Sequence, residues 1–178
     1  VPEFSGHVFI GVSVDGFIAR PDGDIKWLTE RDLPFEATGY NDFMESIDAM
    51  IIGRSTFEEV LKMEEWWYTK PVYVLSTTLD PNTIERDDVF VHRDIESVVA
   101  AFTEAGHFNA YVDGGATIQG FLRAGLIDTI ILSQAPVLIG GGSRLFGDLT
   151  ADVDLELERV GELPAGFTQT KYRVVRKP

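Results

Sequence analysis

The stretch Met50-Ile51-Ile52-Gly53-Arg54-Ser55-Thr56-Phe57-Glu58 decides how this chain folds. A short apolar run bounded by glycine reads as a buried strand. The Gly53-Arg54 corner then opens a helix, where Ser55 or Thr56 can accept a hydrogen bond from an unpaired backbone N–H. A helix that starts at a strand end presents free N–H groups and the positive end of its dipole to an anion. Arg54 adds a guanidinium fork suited to phosphate. Taken alone, such a corner is equally a turn followed by a surface charge.

A matching element lies downstream at Ala110-Tyr111-Val112-Asp113-Gly114-Gly115-Ala116-Thr117-Ile118-Gln119-Gly120-Phe121-Leu122. An apolar strand again runs into glycines, then into a segment with helical spacing at Ile118, Phe121 and Leu122. Adjacent glycines let the backbone approach another group closely or adopt positive φ. Neither corner carries G-x-G-x-x-G or a phosphate-loop signature. Two tight strand-to-helix turns satisfy the pattern; so does one dinucleotide held across two strand ends of an open sheet.

Working outward, strands are expected at Val8–Ser13, Ala49–Ile52, Val72–Ser76, Val89–His92, Ala110–Val112 and Ile130–Ser133. Helices are expected over Pro34–Ile47, Thr56–Lys62, Ile95–Ala105 and Ala116–Ala124, the first with Tyr40, Phe43, Met44 and Ile47 on one face. A Gly-rich loop follows from Pro136 to Gly147. In the tail Val153, Leu155 and Leu157 alternate with acidic residues, the period of a half-buried strand. Leu163-Pro164-Ala165-Gly166 supplies a turn and Phe167–Val175 returns. Alternating β and α with an antiparallel ending argues for one α/β domain over residues 1–178, a mixed sheet covered by helices.

Hydrophobic content of 44% and charged content of 25% are ordinary for a globular protein. The 29 acidic against 15 basic residues give a formal charge of −14, which repels nucleic acid and anionic membranes. No apolar run is long enough to span a bilayer. Cytoplasm is therefore the expected location, with no nucleic-acid or membrane partner. The absence of cysteine excludes disulfides, thiolate nucleophiles and Cys-ligated metals. His7, His92 and His107 are not in ligand spacing, so no metal site is expected.

Several segments together resemble a known family. They are Phe9-Ile10-Gly11-Val12-Ser13-Val14-Asp15-Gly16-Phe17-Ile18-Ala19, Trp27, the Gly53–Phe57 corner, Tyr73-Val74-Leu75-Ser76, the Gly114-Gly115 turn, Gly125-Leu126-Ile127-Asp128, and Pro136-Val137-Leu138-Ile139-Gly140-Gly141-Gly142. In this order they resemble the dihydrofolate reductase superfamily, and within it the branch typified by the reductase domain of riboflavin biosynthesis. The resemblance covers nearly the whole chain. It implies a dihydrofolate reductase-like three-layer fold, a mostly parallel sheet of about eight strands with helices on both faces and a C-terminal antiparallel hairpin.

It also implies NADPH as cofactor, with hydride passing to a C=N or C=O of a small heterocycle, and a homodimer. The absence of a covalent nucleophile or metal is consistent with a cofactor supplying the chemistry. By the same resemblance Gly11 holds the nicotinamide carboxamide, and Ile18 and Ala19 flank its ring. Gly53, Arg54, Ser55 and Thr56 meet the phosphates, Ser76 and Thr77 form the 2′-phosphate shelf, and Gly114, Gly115, Ala116 and Thr117 cover the pyrophosphate. Ala116 departs from the arginine often found there. Ser76 is equally a turn residue, and Gly11 and Ile18 are equally core.

On the substrate side the resemblance points to Glu36 as the carboxylate that binds and protonates the heterocycle, with Ser133 as an accompanying hydroxyl and Asp15 as an alternative acid. Glu36 lies within about 40° of Tyr40, Phe43 and Ile47 on the expected helix, so it should face inward. Burial there would favour its protonated form. The other reading is a first-turn glutamate complementing the helix dipole. The functional expectation is a reductase resembling 5-amino-6-(5-phosphoribosylamino)uracil reductase; the alternatives are a dihydrofolate reductase and a nucleotide-binding homologue without turnover.

Overall fold

Along the strand Ala49–Gly53 (β3), alternate side chains enter two different cores. Ala49 and Ile51 join one, Met50 and Ile52 the other, and all four are buried. Tyr111 opposite Ala110 and Val112, in Asn109–Asp113 (β6), repeats the division. A strand apolar on both sides belongs in the middle of a sheet covered on both faces.

The computed structural model describes residues 3–178; Val1 and Pro2, part of the single-domain expectation, lie outside the described residues. The remaining strands are Ser5–Ser13 (β1), Phe17–Ala19 (β2), Val72–Leu75 (β4), Val89–His92 (β5), Ile127–Ala135 (β7), Ser143–Arg144 (β8), Leu155–Glu162 (β9) and Thr168–Val174 (β10). The helices are Lys26–Thr29 (α1), Tyr40–Glu45 (α2), Arg54–Leu61 (α3), Ile95–Glu104 (α4) and Gly115–Arg123 (α5). Eight strands form one sheet in the order β5-β4-β3-β6-β1-β7-β10-β9, and β2 pairs with β8 in a small ribbon. All pairings from β5 to β7 are parallel; β10 runs antiparallel to both β7 and β9.

Phe102 of α4 and Ile118, Phe121 and Leu122 of α5 fill one face. Phe43 of α2 and Phe57 of α3 fill the other. This is the expected three-layer, dihydrofolate reductase-like α/β fold with a C-terminal antiparallel hairpin. Among the described residues no helix is long and apolar enough to cross a membrane.

Two local expectations are corrected. The single helix over Pro34–Ile47 is broken: a 3-10 turn spans Phe35–Thr38, Gly39 adopts φ 77°, and α2 begins only at Tyr40. Glycine reaches the left-handed region without the Cβ penalty that stops other residues, so the helical phase linking Glu36 to Tyr40 and Phe43 is lost. Secondly, β9 is not half-buried. All eight of its residues are exposed, because it forms the sheet edge beyond the helix layers.

Candidate functional site

The six parallel strands end on the same edge of the sheet, where ligands of open α/β sheets gather. Each end contributes differently, from the phosphate-seeking side at β4–β5 to the acidic centre at β6.

The two glycine corners interlock. Ile52 of β3 registers with Asp113 of β6, which brings Gly53 and Gly114 side by side. A Cβ on Gly53 would lie 2.8 Å from Thr117 Oγ1, and one on Gly114 would lie 3.0 Å from Thr56 Oγ1. Gly114 also has φ 95°, a conformation that side chains disfavour. The start of α3 and the start of α5 therefore meet at one tightly packed glycine junction. Gly115 sits just beyond it, where a Cβ would meet Arg144 O at 2.9 Å and Ile18 Cδ1 at 3.1 Å. The β2–β8 ribbon, with Ile18 and Ala19, thus lies across the α5 start.

At the β4–β5 side a cavity of about 440 Å³ is lined by Arg54, Ser76, Thr77, Thr78 and Arg93 among others. Arg54 donates to Glu58 Oε1 at 2.6 Å and to Thr78 Oγ1 at 2.5 Å. Arg93 donates to the Thr77 carbonyl. Buried Ser76 accepts through Oγ from the backbone N–H groups of Thr78 and Leu79 at 3.2 and 3.0 Å. It shapes the turn that presents exposed Thr77 and Thr78. Two guanidiniums and two hydroxyls around one hollow are the donor set for a phosphate dianion.

On the other side of this junction, the half-buried Asp113 carboxyl is pushed up to about 6 by desolvation, opposed by one hydrogen bond from Gly114 N–H at 2.9 Å. No cation offsets that burial. Its charge instead acts on Tyr40, Tyr68 and Tyr111, whose hydroxyls are all shifted upward, in each case chiefly by burial. Tyr111 Oη donates to Phe9 O at 2.8 Å. Phe35 packs on Tyr40 with ring centres 5.2 Å apart, and Trp67 stacks on Tyr68 at 6.2 Å and 6°. Phe35 and Trp67 are largely exposed. An acid among aromatic rings suits a flat heterocycle that can donate a hydrogen bond or carry a proton.

Further along the edge Gly11 registers with Ser133. A Cβ on Gly11 would meet the end of the Leu28 side chain, with Cδ2 at 2.6 Å, so a larger residue there would have to displace Leu28. Ser133 Oγ accepts from Gln169 Nε2 at 3.0 Å, and the same amide donates to Thr38 O at 2.8 Å. Exposed Arg159 extends this chain outward by donating to Gln169 Oε1 at 3.2 Å. Trp27 is buried in a small cluster with Ala135 and Phe167, and its indole N–H has no partner. A buried donor left unpaired is costly and calls for an acceptor from outside.

Chains of this architecture occur among known proteins. A model of the RibD C-terminal domain matches residues 6–168. The uncharacterized protein YwjB of Bacillus subtilis (strain 168) is 34% identical over 158 residues, 85% of this chain and 87% of that one. The chain belongs to the RibD C-terminal domain family. A Shewanella sp. PV-4 protein, whose assignment to riboflavin biosynthesis is provisional, superposes with TM-score 0.88 at 36% identity, over 96% of this chain and 99% of its own. The Thermotoga maritima diaminohydroxyphosphoribosylaminopyrimidine deaminase/5-amino-6-(5-phosphoribosylamino)uracil reductase shares the fold at TM-score 0.71 and 17% identity, covering 98% of this chain and 57% of that one.

In this RibD C-terminal domain the residues expected at the phosphates fall together: Gly53, Arg54, Ser55 and Thr56 beside Gly114, Gly115, Ala116 and Thr117, with Ser76 and Thr77 at the hollow. The expected acids do not. Glu36 is exposed in its 3-10 turn. Asp15 is a latch: it accepts from Ser13 Oγ at 2.6 Å, Ile139 N–H at 3.2 Å and Gly140 N–H at 2.7 Å. The Ser13 hydroxyl, ahead of these amides, lowers its pKa, the wrong direction for a proton donor. Sequence reasoning missed Arg93, Thr78 and Asp113. Asp113 carried a signal, since a carboxylate ending an apolar strand against Gly-Gly has no local reason to be there.

Proposed function

We propose that this RibD C-terminal domain protein is an NADPH-dependent reductase that delivers hydride to a C=N or C=O of a small heterocycle. The observation that carries the reading is the junction of two helix starts at Gly53 and Gly114, set between the Arg54–Arg93 hollow and the Asp113 acid. Two helix starts that meet without side chains between them bring their backbone N–H groups together, which suits a bound pyrophosphate. The hollow fits the 2′-phosphate that separates NADPH from NADH, and the resemblance supports the nicotinamide lying toward Gly11 and Ile18. When bound, the cofactor supplies the hydride.

The chain's own residues do the rest. Arg54, Arg93, Thr77 and Thr78 hold the phosphate. Tyr40, Tyr68, Phe35 and Trp67 receive a flat ring. Asp113 fixes that ring through an N–H and holds a proton for the nitrogen or oxygen that gains negative charge as hydride arrives. A pKa near 6 keeps about a tenth of the carboxyl protonated at neutral pH, and closure of the cleft over substrate raises that share.

The test is NADPH oxidation followed by absorbance against a panel of ribosylamino-pyrimidines and pteridines, dihydrofolate included. Oxidation with a pyrimidine supports a reductase like that of riboflavin biosynthesis, and with dihydrofolate a dihydrofolate reductase. Tight NADPH binding without oxidation of any member makes the protein a nucleotide-binding homologue.

A further inference from the structure

Charge is sorted along the ligand edge of the sheet. Arg54 and Arg93 both line the hollow on the β4–β5 side, and Glu58, Thr77 and Thr78 hold them there. Across the glycine junction the polarity reverses. The segment Phe35–Glu45, which carries Phe35 and Tyr40, contains Glu36, Asp42 and Glu45 and no lysine or arginine. Trp66, next to Tyr68, has Arg86 4.3 Å over its ring, but that guanidinium also donates to both carboxylate oxygens of Asp88 at 2.9 and 3.0 Å. Lys62 pairs with Glu59 at 2.7 Å, and Lys70 precedes β4, at the start of that strand and not at its ligand end. Arg31, ahead of Phe35, is folded back on the Trp27 carbonyl at 2.6 Å.

The polar atoms left on this side form a short pattern. The Tyr40 and Tyr68 hydroxyls both respond to the Asp113 charge, and Tyr68 responds to Tyr40, so the three groups share one neighbourhood. Tyr111 gives its hydrogen to the Phe9 carbonyl. Among the described residues the Tyr40 and Tyr68 hydroxyls have no protein partner. Burial, with the carboxylate beside them, raises both phenols, so they stay protonated and act as donors. Asp113 receives only the Gly114 N–H, which leaves lone pairs free to accept. An acceptor beside two donors complements the –CO–NH– edge of a cyclic amide or urea. The exposed rings of Phe35 and Trp67 offer faces on which such a ring can stack.

We propose that this site, on the reductase reading above, takes an uncharged lactam heterocycle and rejects its phosphate esters. The lactam N–H donates to Asp113, and the lactam carbonyl accepts from Tyr40 or Tyr68. A phosphate ester would bring about two further negative charges toward a carboxylate with no cation beside it, on a chain of net charge −14. Like charges forced together in this way exclude the wrong ligand. The cofactor's phosphate goes to the opposite side, where both arginines stand. One edge thus separates its two ligands by charge.

Calorimetric titration of matched pairs tests the proposal: a ribosylaminopyrimidine against its 5′-phosphate, and hydroxymethylpterin against its phosphate. Excess inorganic phosphate keeps the Arg54–Arg93 hollow filled, so the readout is binding on the acid side and needs no turnover. The uncharged member of each pair should bind about tenfold more tightly or better, and the gap should narrow as salt is raised. Asp113→Asn should narrow it as well, by removing the like charge. Phe35→Arg, at an exposed position, should shift preference toward the ester. Equal or tighter binding of the esters by wild type, or a gap unmoved by Asp113→Asn, would overturn the proposal. So would failure of both uncharged probes to bind. Binding in the expected order without NADPH oxidation would uphold the site's charge selection and overturn the reductase reading instead.

Discussion

Gly53 and Thr117 stand so close that a single methyl group on Gly53 would lie 2.8 Å from the threonine hydroxyl oxygen. They are more than sixty positions apart in sequence, and only the β3–β6 pairing brings them together. The contact packs the two helix starts against each other. It also makes the glycine testable without any ligand.

Gly53 has φ −82° and ψ 169°, which any residue adopts, so Gly53→Ala is penalised by crowding alone. Overpacking of this kind costs about 1–3 kcal/mol, a fall of roughly 2–10 °C in melting temperature for a chain of this size. Thr117→Ala removes the colliding oxygen, and the double variant should recover part of the loss. Calorimetry on the four proteins of the cycle gives the coupling; strictly additive losses would mean that the two residues do not touch.

Arg54→Ala and Arg93→Ala should each weaken NADPH binding by about 10- to 100-fold, the value of one charge-assisted contact, and leave NADH nearly unaffected. The Glu58 partner of Arg54 does not prevent this, since an exposed pair of that kind is worth only a few tenths of a kcal/mol. Fluorescence titration with both cofactors measures the difference. Equal losses for NADPH and NADH would move the arginines from the 2′-phosphate to the pyrophosphate.

Asp113 makes a stability prediction whose sign is opposite to that of most carboxylates. Its folded pKa is raised from 3.8 to about 6, so the native state holds the proton more tightly than the unfolded chain. The resulting stabilisation is complete below pH 3.8 and is lost as pH rises through 6. Asp113→Asn should therefore be more stable than wild type at pH 7–8, by roughly 1–3 kcal/mol, with the gap closing near pH 4. Denaturant unfolding at several pH values would show it; a constant gap would mean that the carboxyl is not buried against its charge.

Asp15 holds the Gly-rich loop through two amides, and Asp15→Ala should release them. Hydrogen exchange at Ile139 and Gly140 should quicken by an order of magnitude or more. Unchanged exchange would show that the loop is held by its other contacts. Because Asp15 has a lowered pKa, its contribution is present above the ordinary carboxylate range and disappears only at lower pH.

The strand positions and both glycine corners were legible because apolar runs bounded by glycine leave few alternatives. The anion hollow was legible only in part. Arg93 follows β5, and only the β4–β5 pairing carries it to Thr77, so no local pattern announces it. Glu36 was misplaced because helical phase was carried through Gly39, whose positive φ breaks it. Asp113 was passed over as a strand residue, since the desolvation that shifts its carboxyl comes from the tertiary surroundings and leaves no local pattern. The alternation in β9 was real, but alternation reports two faces and not whether a layer covers either.

The most direct test is the pH dependence of NADPH oxidation, on the best substrate of the panel, for wild type, Asp113→Asn and Glu36→Gln. Wild type should lose kcat/KM as pH rises through about 6, where the proton on Asp113 is given up. Asp113→Asn should fall by at least an order of magnitude and lose that limb, while Glu36→Gln stays within about twofold of wild type, as expected of an exposed residue. Wild-type rates and an unchanged pH limb in Asp113→Asn would contradict the assignment of this acid to the reaction.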